Sequence, residues 1–468
     1  MIEFILNNKI IKTDVNKSIT LVDFIRDNKV LKGTKIVCRE GDCAACSVLV
    51  GELDISENFV KYHTITSCIS PLANAHGKHI VTIEGLNQNQ KLTPVQSSIK
   101  NQNATQCGFC TPGFVIAMTN YCLNPSLNSE EQMLDCIGGN ICRCTGYVSL
   151  VKAAKDIVSQ TQNKGKKYKL QELISEGFIP EYFADTASKL AKIEPKIPNN
   201  HSSYIIAGGT DLYVQKADEL QIKNQARFTH SESKSSVKIQ NGKCILSANA
   251  TVSDLFNHTE LNLSIPNLKD YLRLVSSEPI RNMATIAGNF VNASPIADMS
   301  IFCLALDVEL ILQGLKESRI IALKDFFQDY KKTALQNDEH ISQIAFNIPK
   351  KSAYFNFEKV SKRRNLDIAT VNSAIYLKME NDTVLKANIA IGGVAPIPKY
   401  LKKCSEFLIN KEINLSTLNQ LLEILNQEIS PISDVRGTAD YKKLLANQIV
   451  KQHFLKLFPS SIQFEDVI

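Results

Sequence analysis

The sequence lacks a long, uninterrupted apolar run. Its most apolar stretch, IADMSIFCLALDVELIL, is broken by Asp298, Asp307 and Glu309, whereas a transmembrane helix needs about 20 predominantly apolar residues. The first ten residues carry no basic stretch ahead of the apolar ones, so they do not predict a signal peptide. These absences argue against a membrane-spanning protein, and we expect a cytoplasmic one.

An excess of one charge is lacking too. The 53 basic and 47 acidic residues leave a net charge of +6, and the densest basic run, NKGKKYK at 163–169, is short. Because nucleic-acid binding depends on a concentrated basic surface, we expect no nucleic-acid partner. The fingerprint G-x-G-x-x-G is absent, which argues against a Rossmann dinucleotide site.

Cysteine, by contrast, is abundant and unevenly distributed. Ten of the 13 cysteines precede residue 145. An odd number of cysteines without an export signal argues against a disulfide framework. The first third of the chain must therefore use thiolates for another purpose.

The first group of cysteines lies in the segment CREGDCAAC. Cys38, Cys43 and Cys46 have the spacing C-x4-C-x2-C, and Cys68 is the natural fourth ligand. This is the plant-type spacing for a [2Fe–2S] cluster. Small residues such as Gly41 let backbone N–H groups turn toward the cluster sulfurs. A zinc loop is the alternative, since zinc also binds thiolates.

A second group combines C-x2-C at Cys107 and Cys110 with C-x-C at Cys142 and Cys144. On spacing alone, these four residues predict either a second cluster or a structural zinc. The remaining cysteines are predicted to be buried, unliganded thiols: Cys122, Cys136, Cys244, Cys303 and Cys404.

The predicted secondary structure changes along the chain. Residues 2–6 and 10–13 predict a hairpin around Asn7, and a helix capped by Thr20 follows. Short helices come next, one of them with a capping box that starts at Ser129. The predicted domains are a β-rich domain over 1–82, a helical domain over 83–160, a polar linker over 161–200, a mixed domain over 201–347 and a C-terminal subdomain over 348–468.

Two glycine-containing loops in the mixed domain allow a ligand to approach the backbone. IIAGGTDL at 205–212 predicts a strand and a turn whose N–H groups could cradle a phosphate, with an ordinary turn as the alternative. RNMATIAGNFVNASPIADMS at 281–300 is rich in small and hydroxyl residues. The candidate contact residues are Ile205, Ile206, Ala207, Gly208, Gly209, Thr210, Asp211, Leu212, Ala284, Thr285, Gly288, Asn289 and Asp298.

Several of these motifs resemble one known family. QCGFCTPGF and GNICRCTGY resemble the second [2Fe–2S] domain of the molybdenum hydroxylases, the xanthine dehydrogenase family, and the first cysteine loop resembles that family's ferredoxin-like domain. Both glycine loops, with KRRNLDIATVNSAI and LKANIAIGGVAP, resemble its FAD domain. One departure is Val148-Ser149, where many relatives have Arg-Pro. The resemblance covers nearly the whole chain except the region around 160–200.

The resemblance implies an α+β multidomain fold. Its parts are a β-grasp ferredoxin-like domain, a helical-bundle [2Fe–2S] domain and a two-part α+β FAD-binding domain with a C-terminal α/β subdomain. The implied cofactors are two [2Fe–2S] clusters and FAD, with molybdopterin in a partner chain. Gln106 is expected to face that molybdopterin, and Ile368 and Lys386 are expected to lie beside the flavin.

The resemblance also implies an oxidoreductase subunit that transfers electrons. We expect a large molybdopterin-binding partner, NAD as acceptor, hypoxanthine or xanthine as substrate, and a heterotetramer of two small and two large chains. The alternatives are another molybdenum hydroxylase acting on an aldehyde or N-heterocycle, a stand-alone iron–sulfur flavoprotein reductase, and a zinc-binding assembly protein.

Overall fold

A computed structural model describes residues 1–54, 56, 58–88, 91–162, 170–194, 204–223, 226–229, 235–350, 352–363 and 366–466. These residues form two compact units. The first contains residues 1–234 and 277–284, and the second contains residues 235–276 and 285–468. Within the described ranges, no helix combines the length and the apolar character needed to cross a membrane.

The first unit begins with a five-stranded β-grasp sheet. Its strands, in spatial order, are Lys9–Thr13, Ile2–Leu6, His79–Val81, Ser47–Asp54 and Phe59–Thr66. The predicted hairpin is present, with Asn7 at a φ of 54° in the turn. Side chains alternate along the first strand, so that Phe4 faces one core and Ile5 faces the other.

Short helical segments complete this part of the unit. Thr20 caps the helix Leu21–Asp23 as predicted, because its side chain accepts from the Asp23 N–H, and a π-helical turn continues over Phe24–Asn28. Three 3-10 segments lie further along the chain at Ser67–Ile69, Leu72–Ala75 and Ile83–Leu86.

Four helices form the predicted bundle that follows: Pro94–Asn101, Thr111–Leu123, Glu130–Ile137 and Val148–Gln162. The capping box at Ser129 is confirmed, and Thr93 forms another with Gln96. Cys122 and Cys136 are buried in the core of this bundle, as predicted.

Much of the region predicted as a linker is folded. Its helical segments are Leu170–Ser175, Glu181–Asp185 and Thr186–Leu190. Phe178 and Phe183 share the core of the helical bundle, which gives these polar-looking segments an apolar anchor. The basic run at 163–169 lies outside the described residues.

The compact units do not divide at the predicted boundary after residue 200. Strand Tyr204–Ile206, helix Leu212–Lys223 and the parallel strand Ala226–Phe228 belong to the first unit, as does the short helix Glu278–Arg281. The physical reason is a shared core. Ile206, Tyr213 and Phe228 are buried in the same cluster as Phe4 and Val48.

The second unit contains two main sheets, and all strand pairs in them are antiparallel. The first sheet has five strands, in the spatial order Ser318–Ala322, Glu309–Gln313, His340–Asn347, Lys243–Ser247 and Val237–Gln240. The second sheet has four strands, in the order Ala353–Val360, Val371–Glu380, Thr383–Gly392 and Lys399–Tyr400. A small hairpin joins Phe327–Asp329 to Lys332–Thr333.

The helices of the second unit are Val252–Asn257, Thr259–Ser264, Leu268–Arg273, Ile286–Asn292, Asp298–Ala305, Leu323–Phe326, Lys402–Leu408, Leu415–Glu428 and Ala439–Leu457, with a 3-10 turn at Phe464–Asp466. The last three α-helices follow the antiparallel sheet of the C-terminal subdomain. The expected α+β multidomain fold is confirmed, and the C-terminal subdomain combines an antiparallel sheet with helices that follow it. Cys244, Cys303 and Cys404 are buried, as predicted.

Candidate iron–sulfur and flavin sites

The first cysteine loop has an unusual backbone. Arg39, Gly41 and Ala44 adopt positive φ values of 56°, 76° and 51°. Left-handed residues of this kind direct neighbouring N–H groups to one side and form the concave nests that are common at iron–sulfur sites. A side chain at Gly41 would also collide with Ile69. Gly41, which sequence reasoning had singled out for its small size, is therefore one of the residues that shape the loop.

An ion pair fixes this loop to the helix before it. Arg39 Nη2 lies 2.8 Å from Asp23 Oδ1, and Arg39 Nη1 lies 3.1 Å from Asp23 Oδ2. Burial raises the pKa of Asp23, but the hydrogen bonds from Arg39 and Thr20 outweigh burial, so the net shift is downward. The carboxylate thus stays charged and holds the loop.

The four thiols of the first set converge. Hydrogen bonds with Cys43 and then Cys68 lower the pKa of Cys38, and the same kind of contact raises the pKa of Cys68. Cys46 contacts Cys68 in turn. Cys68 is only 3% exposed, and Cys46 is also buried. The fourth cysteine, which lies far along the chain from the loop, is therefore brought to it by the fold.

The second set forms two pairs. Cys144 Sγ lies 3.5 Å from Cys107 Sγ. Burial, together with a hydrogen bond to Cys142, raises the pKa of Cys110 to about 12. Thr145 Oγ1 lies 3.1 Å from Cys142 Sγ. Four cysteines in two pairs fit a [2Fe–2S] cluster, which takes four cysteine ligands for two irons. Across the described ranges, no three His, Cys, Asp or Glu side chains surround a position for a single metal ion.

The surroundings of the second set are open. Cys107 and Cys144 are exposed, in contrast to the buried Cys46 and Cys68 of the first set. Gln106 is exposed beside Cys107. Val148 is 65% exposed and is the first residue of the helix Val148–Gln162, so the departure from Arg-Pro leaves a helix start in place.

Phe109, Ile141 and Tyr147 add apolar surface around the second set, since each is an exposed large side chain. Gly108 and Gly146 have positive φ values, and a Cβ at either one would meet no atom within 4 Å. This face of the unit therefore combines exposed thiols, apolar side chains and open space.

The two cysteine sets are joined by direct contacts. The Ile141 N–H donates to the Cys43 carbonyl at 3.1 Å, and Asn140 Nδ2 donates to the Ala44 carbonyl at 3.3 Å. A Cβ at Gly113 would lie 2.6 Å from the Ala44 oxygen. Sequence reasoning missed this junction, although GNICRC contains both Asn140 and Ile141.

The loop at 205–212 lies beside the first cysteine set. Gly209 has a φ of 82°, and a Cβ there would lie 3.1 Å from the carbonyl oxygen of Ile69, the residue after Cys68. Asn74 Nδ2 donates to the Ala207 carbonyl at 2.9 Å. The glycine turn predicted for a phosphate is thus held against the segment that carries a cluster ligand.

Gly208 shows why this loop needs glycine. A Cβ at Gly208 would overlap the backbone of Met283. Met283 and Ala284 belong to the predicted second loop, so the first unit holds loop 205–212 and the beginning of loop 281–300 in contact. Such close backbone approach is the use of glycine that sequence reasoning expected.

The remainder of the second loop lies in the second unit. Thr285 Oγ1 accepts from the Gly288 N–H at 3.1 Å and caps the helix Ile286–Asn292. Asn289 Oδ1 accepts hydrogen bonds from Ser300. Both polar side chains therefore shape the loop itself.

Asp298 has partners that sequence reasoning missed. Lys359 Nζ lies 2.7 Å from Asp298 Oδ2, and Asn372 Nδ2 lies 2.6 Å from Asp298 Oδ1. Lys359 is buried, and both partners come from strands of the C-terminal subdomain. The carboxylate of this candidate contact residue therefore already accepts from two protein side chains.

The two residues that the resemblance placed beside flavin are accessible. Ile368 is 54% exposed. Lys386 Nζ lies 2.6 Å from Asp307 Oδ2. Burial raises the pKa of Asp307, but Lys386 and Lys324 outweigh burial and lower it overall.

Glu278 is a half-buried residue with no signature in the sequence, and its carboxyl group is held within the first unit. It lies in the first unit, where Asn120 Nδ2 donates to Glu278 Oε1 at 3.1 Å and Cys136 contacts the carboxyl group. Burial raises the pKa of Glu278, against the opposing effects of Cys136 and Arg281. The segment 277–284 is thus anchored in the helical bundle by a carboxyl whose charge is disfavoured.

The free energy of unfolding of the wild type should fall as pH rises, in part because Glu278 must ionise. We expect Glu278→Gln to make this fall smaller. Because the folded-state pKa is raised, the stabilising contribution is fully present below the unfolded-state pKa and is lost as pH rises through the folded-state pKa. Urea unfolding of variant and wild type, from acidic to mildly alkaline pH, should show a stability difference that increasingly favours the variant. Glu181→Gln, at an exposed position, is the control. A stability difference between Glu278→Gln and wild type that does not change with pH would contradict a raised pKa of Glu278.

Comparisons with known proteins identify the domains. The FAD-binding domain in molybdopterin dehydrogenase matches residues 175–351, and the CO dehydrogenase flavoprotein C-terminal domain matches residues 356–457. A [2Fe–2S]-binding domain matches residues 82–155, which contain the second cysteine set. The FAD-binding match begins inside the region predicted as a linker.

Curated relatives align with almost the whole chain. Xanthine dehydrogenase of Emericella nidulans is 28% identical over 95% of this chain, and xanthine dehydrogenase 1 of Arabidopsis thaliana is 26% identical over 93%. The chain spans only 38% of the length of either relative.

Solved structures share the fold of part of the chain. The CO dehydrogenase of Oligotropha carboxidovorans gives a TM-score of 0.51 at 22% identity, covering 55% of this chain and 90% of that one. The enzyme of Hydrogenophaga pseudoflava gives 0.52 at 21% identity, covering 56% and 92%. The chain thus matches models of a [2Fe–2S]-binding, a FAD-binding and a C-terminal flavoprotein domain, and it is similar over nearly its whole length to xanthine dehydrogenases.

Proposed function

We propose that this chain carries electrons from a molybdopterin-containing partner chain to FAD and on to NAD, during the oxidation of hypoxanthine or xanthine. Bound [2Fe–2S] clusters supply one-electron carriers, and bound FAD links them to hydride chemistry. The protein's part is to hold these groups in a fixed order and to set their surroundings.

The observation that carries the proposal is the order of contacts in the first unit. The second cysteine set, which includes the exposed Cys107 and Cys144, is joined to the first set by the hydrogen bond from the Ile141 N–H to the Cys43 carbonyl. The first set in turn contacts the candidate flavin loop, because Ile69 follows Cys68 and faces Gly209. This order supports electron entry at the second set and exit from the first set toward flavin.

The entry face supports a partner chain. Exposed thiols at Cys107 and Cys144 lie beside exposed Phe109 and Tyr147, and aromatic side chains are enriched in protein interfaces. We place Gln106 toward the molybdopterin of that partner. The assembly that we propose is a heterotetramer of two small and two large chains.

The substrate assignment is supported by the names of the curated relatives, which are xanthine dehydrogenases. The likeness to the two CO dehydrogenases concerns the fold alone, given the low identity. We therefore propose a purine as substrate and NAD as acceptor.

Anaerobic purification of the native complex tests the proposal. We expect four iron atoms per chain, two in each [2Fe–2S] cluster, together with one FAD, a co-purifying molybdenum-containing chain, and NAD reduction that depends on xanthine. Stoichiometric zinc without visible absorption would overturn the cluster assignment. Activity with an aldehyde but not with xanthine would be consistent with the proposed electron path but would contradict the proposed purine substrate.

A further inference from the structure

The junction between the two cysteine sets offers a continuous bonded connection. Ile141 directly precedes Cys142, and its N–H donates to the carbonyl of Cys43 at 3.1 Å. A route from the Cys43 sulfur to the Cys142 sulfur therefore consists of covalent bonds interrupted by a single hydrogen bond. Its length depends on how firmly the segment 140–142 is held against the loop 43–44.

Asn140 holds the two segments together. It is 5% exposed, and its Nδ2 donates to the Ala44 carbonyl at 3.3 Å. That carbonyl also accepts from Ser47 Oγ at 2.8 Å, which fixes its position at the start of a strand. Gly113 also packs against this contact. A Cβ at Gly113 would lie too close to the Ala44 oxygen, at 2.6 Å.

The chemistry of Asn140 indicates why an amide is present. Its Oδ1 is buried without a hydrogen-bond partner, and an unsatisfied buried polar atom is destabilising. An apolar side chain of similar size would avoid that cost but would lose the donor to Ala44. The donor is therefore the feature that an asparagine contributes here.

We propose that Asn140 is a positioning residue for electron transfer between the two clusters, an inference that rests on the proposed function. By clamping Ala44, it keeps the adjacent Cys43 carbonyl within hydrogen-bonding distance of Ile141. With both clusters bound, Cys107, Cys110, Cys142 and Cys144 would hold the electron donor and Cys38, Cys43, Cys46 and Cys68 the acceptor. The transfer would oxidise the donor by one electron, reduce the acceptor by one, and make or break no covalent bond.

Asn140→Leu in the complete chain, purified with its partner, tests this role. Asn124→Leu is the control, because the half-buried Asn124 amide also donates to a backbone carbonyl, that of Tyr62 at 3.2 Å, and its other hydrogen bonds go to Asn120 rather than to a cysteine. Iron content, low-temperature electron spin resonance of both clusters and freeze-quench kinetics of their reduction by substrate are measured for each variant.

We expect Asn140→Leu to keep its iron, to weaken the spin–spin splitting between the two reduced clusters, and to slow electron transfer between them about tenfold, equivalent to about 1.4 kcal/mol. Asn124→Leu should leave splitting and rate unchanged. If Asn140→Leu loses iron, Gly113→Ala takes its place in the same measurements, because a Cβ at Gly113 displaces the Ala44 carbonyl.

An unchanged rate and splitting in an iron-replete Asn140→Leu protein would overturn the inference and leave the proposed function standing. Equal slowing in both asparagine variants would also overturn it, because the effect would then be general loosening of the unit. A wild-type protein without either cluster signal would refute the proposed function itself.

Discussion

Cys43→Ser is expected to stop electrons before they reach flavin, while the second cluster still accepts them from substrate. A serine hydroxyl is a poor replacement for a soft thiolate ligand, so the first cluster should be lost. The four cysteines of the second set lie in a separate, helical part of the unit and keep their pairs. NAD reduction should therefore fall to near background.

Low-temperature spin resonance after addition of substrate distinguishes the two clusters in this variant. Cys122→Ser is the matched control, since Cys122 is a buried cysteine that belongs to neither set. It should retain both cluster signals and NAD reduction. Normal NAD turnover in a Cys43→Ser protein that lacks the first cluster would break the proposed order.

Sequence reasoning succeeded where the information is local. The turn at Asn7, the cap at Thr20 and the capping box at Ser129 each depend on residues within a few positions of one another. The spacing of Cys38, Cys43 and Cys46 is likewise a local property. Within the first set, Cys68 required a long-range assumption, and the fold brings it to the loop.

The contacts that order the sites are not local. Asn140 and Ala44 are 96 positions apart, and no periodic pattern links them. The same holds for Gly209 beside Ile69, and for the segment 277–284, which joins the first unit across a long stretch of intervening chain. Tertiary packing determines such contacts, so a single sequence carries no direct signal of them.

Asp298 illustrates a different reason for an incomplete prediction. Its loop composition suggested an acceptor for a ligand, but Lys359 and Asn372 satisfy both carboxylate oxygens. The available signal was a lysine, Lys359, in the strand Ala353–Val360, because a buried charge requires a partner. The identity of that partner depended on the fold.

Gly288→Val is expected to abolish flavin binding while the iron is retained. Gly288 lies in the second unit, and a Cβ there would approach only Thr285 Oγ1, at 2.8 Å. The side chain of Thr285 can adjust, so the fold should persist. Gly288 is exposed, and we propose that the dinucleotide contacts the protein backbone there. A branched side chain would occupy the space that this contact requires.

Gly209→Val should behave differently, because Gly209 has a φ of 82° and faces the carbonyl of Ile69 beside Cys68. Valine is strained in that conformation and would press on the segment that carries a cluster ligand. We expect this variant to lose flavin and part of its iron, as measured by flavin extraction and iron analysis of the same preparation.

Retention of flavin in Gly288→Val would remove the second loop from the flavin site. Equal losses of iron and flavin in that variant would instead mean that Gly288 supports the fold as a whole, since the cysteine sets lie in the other unit and have no other reason to respond.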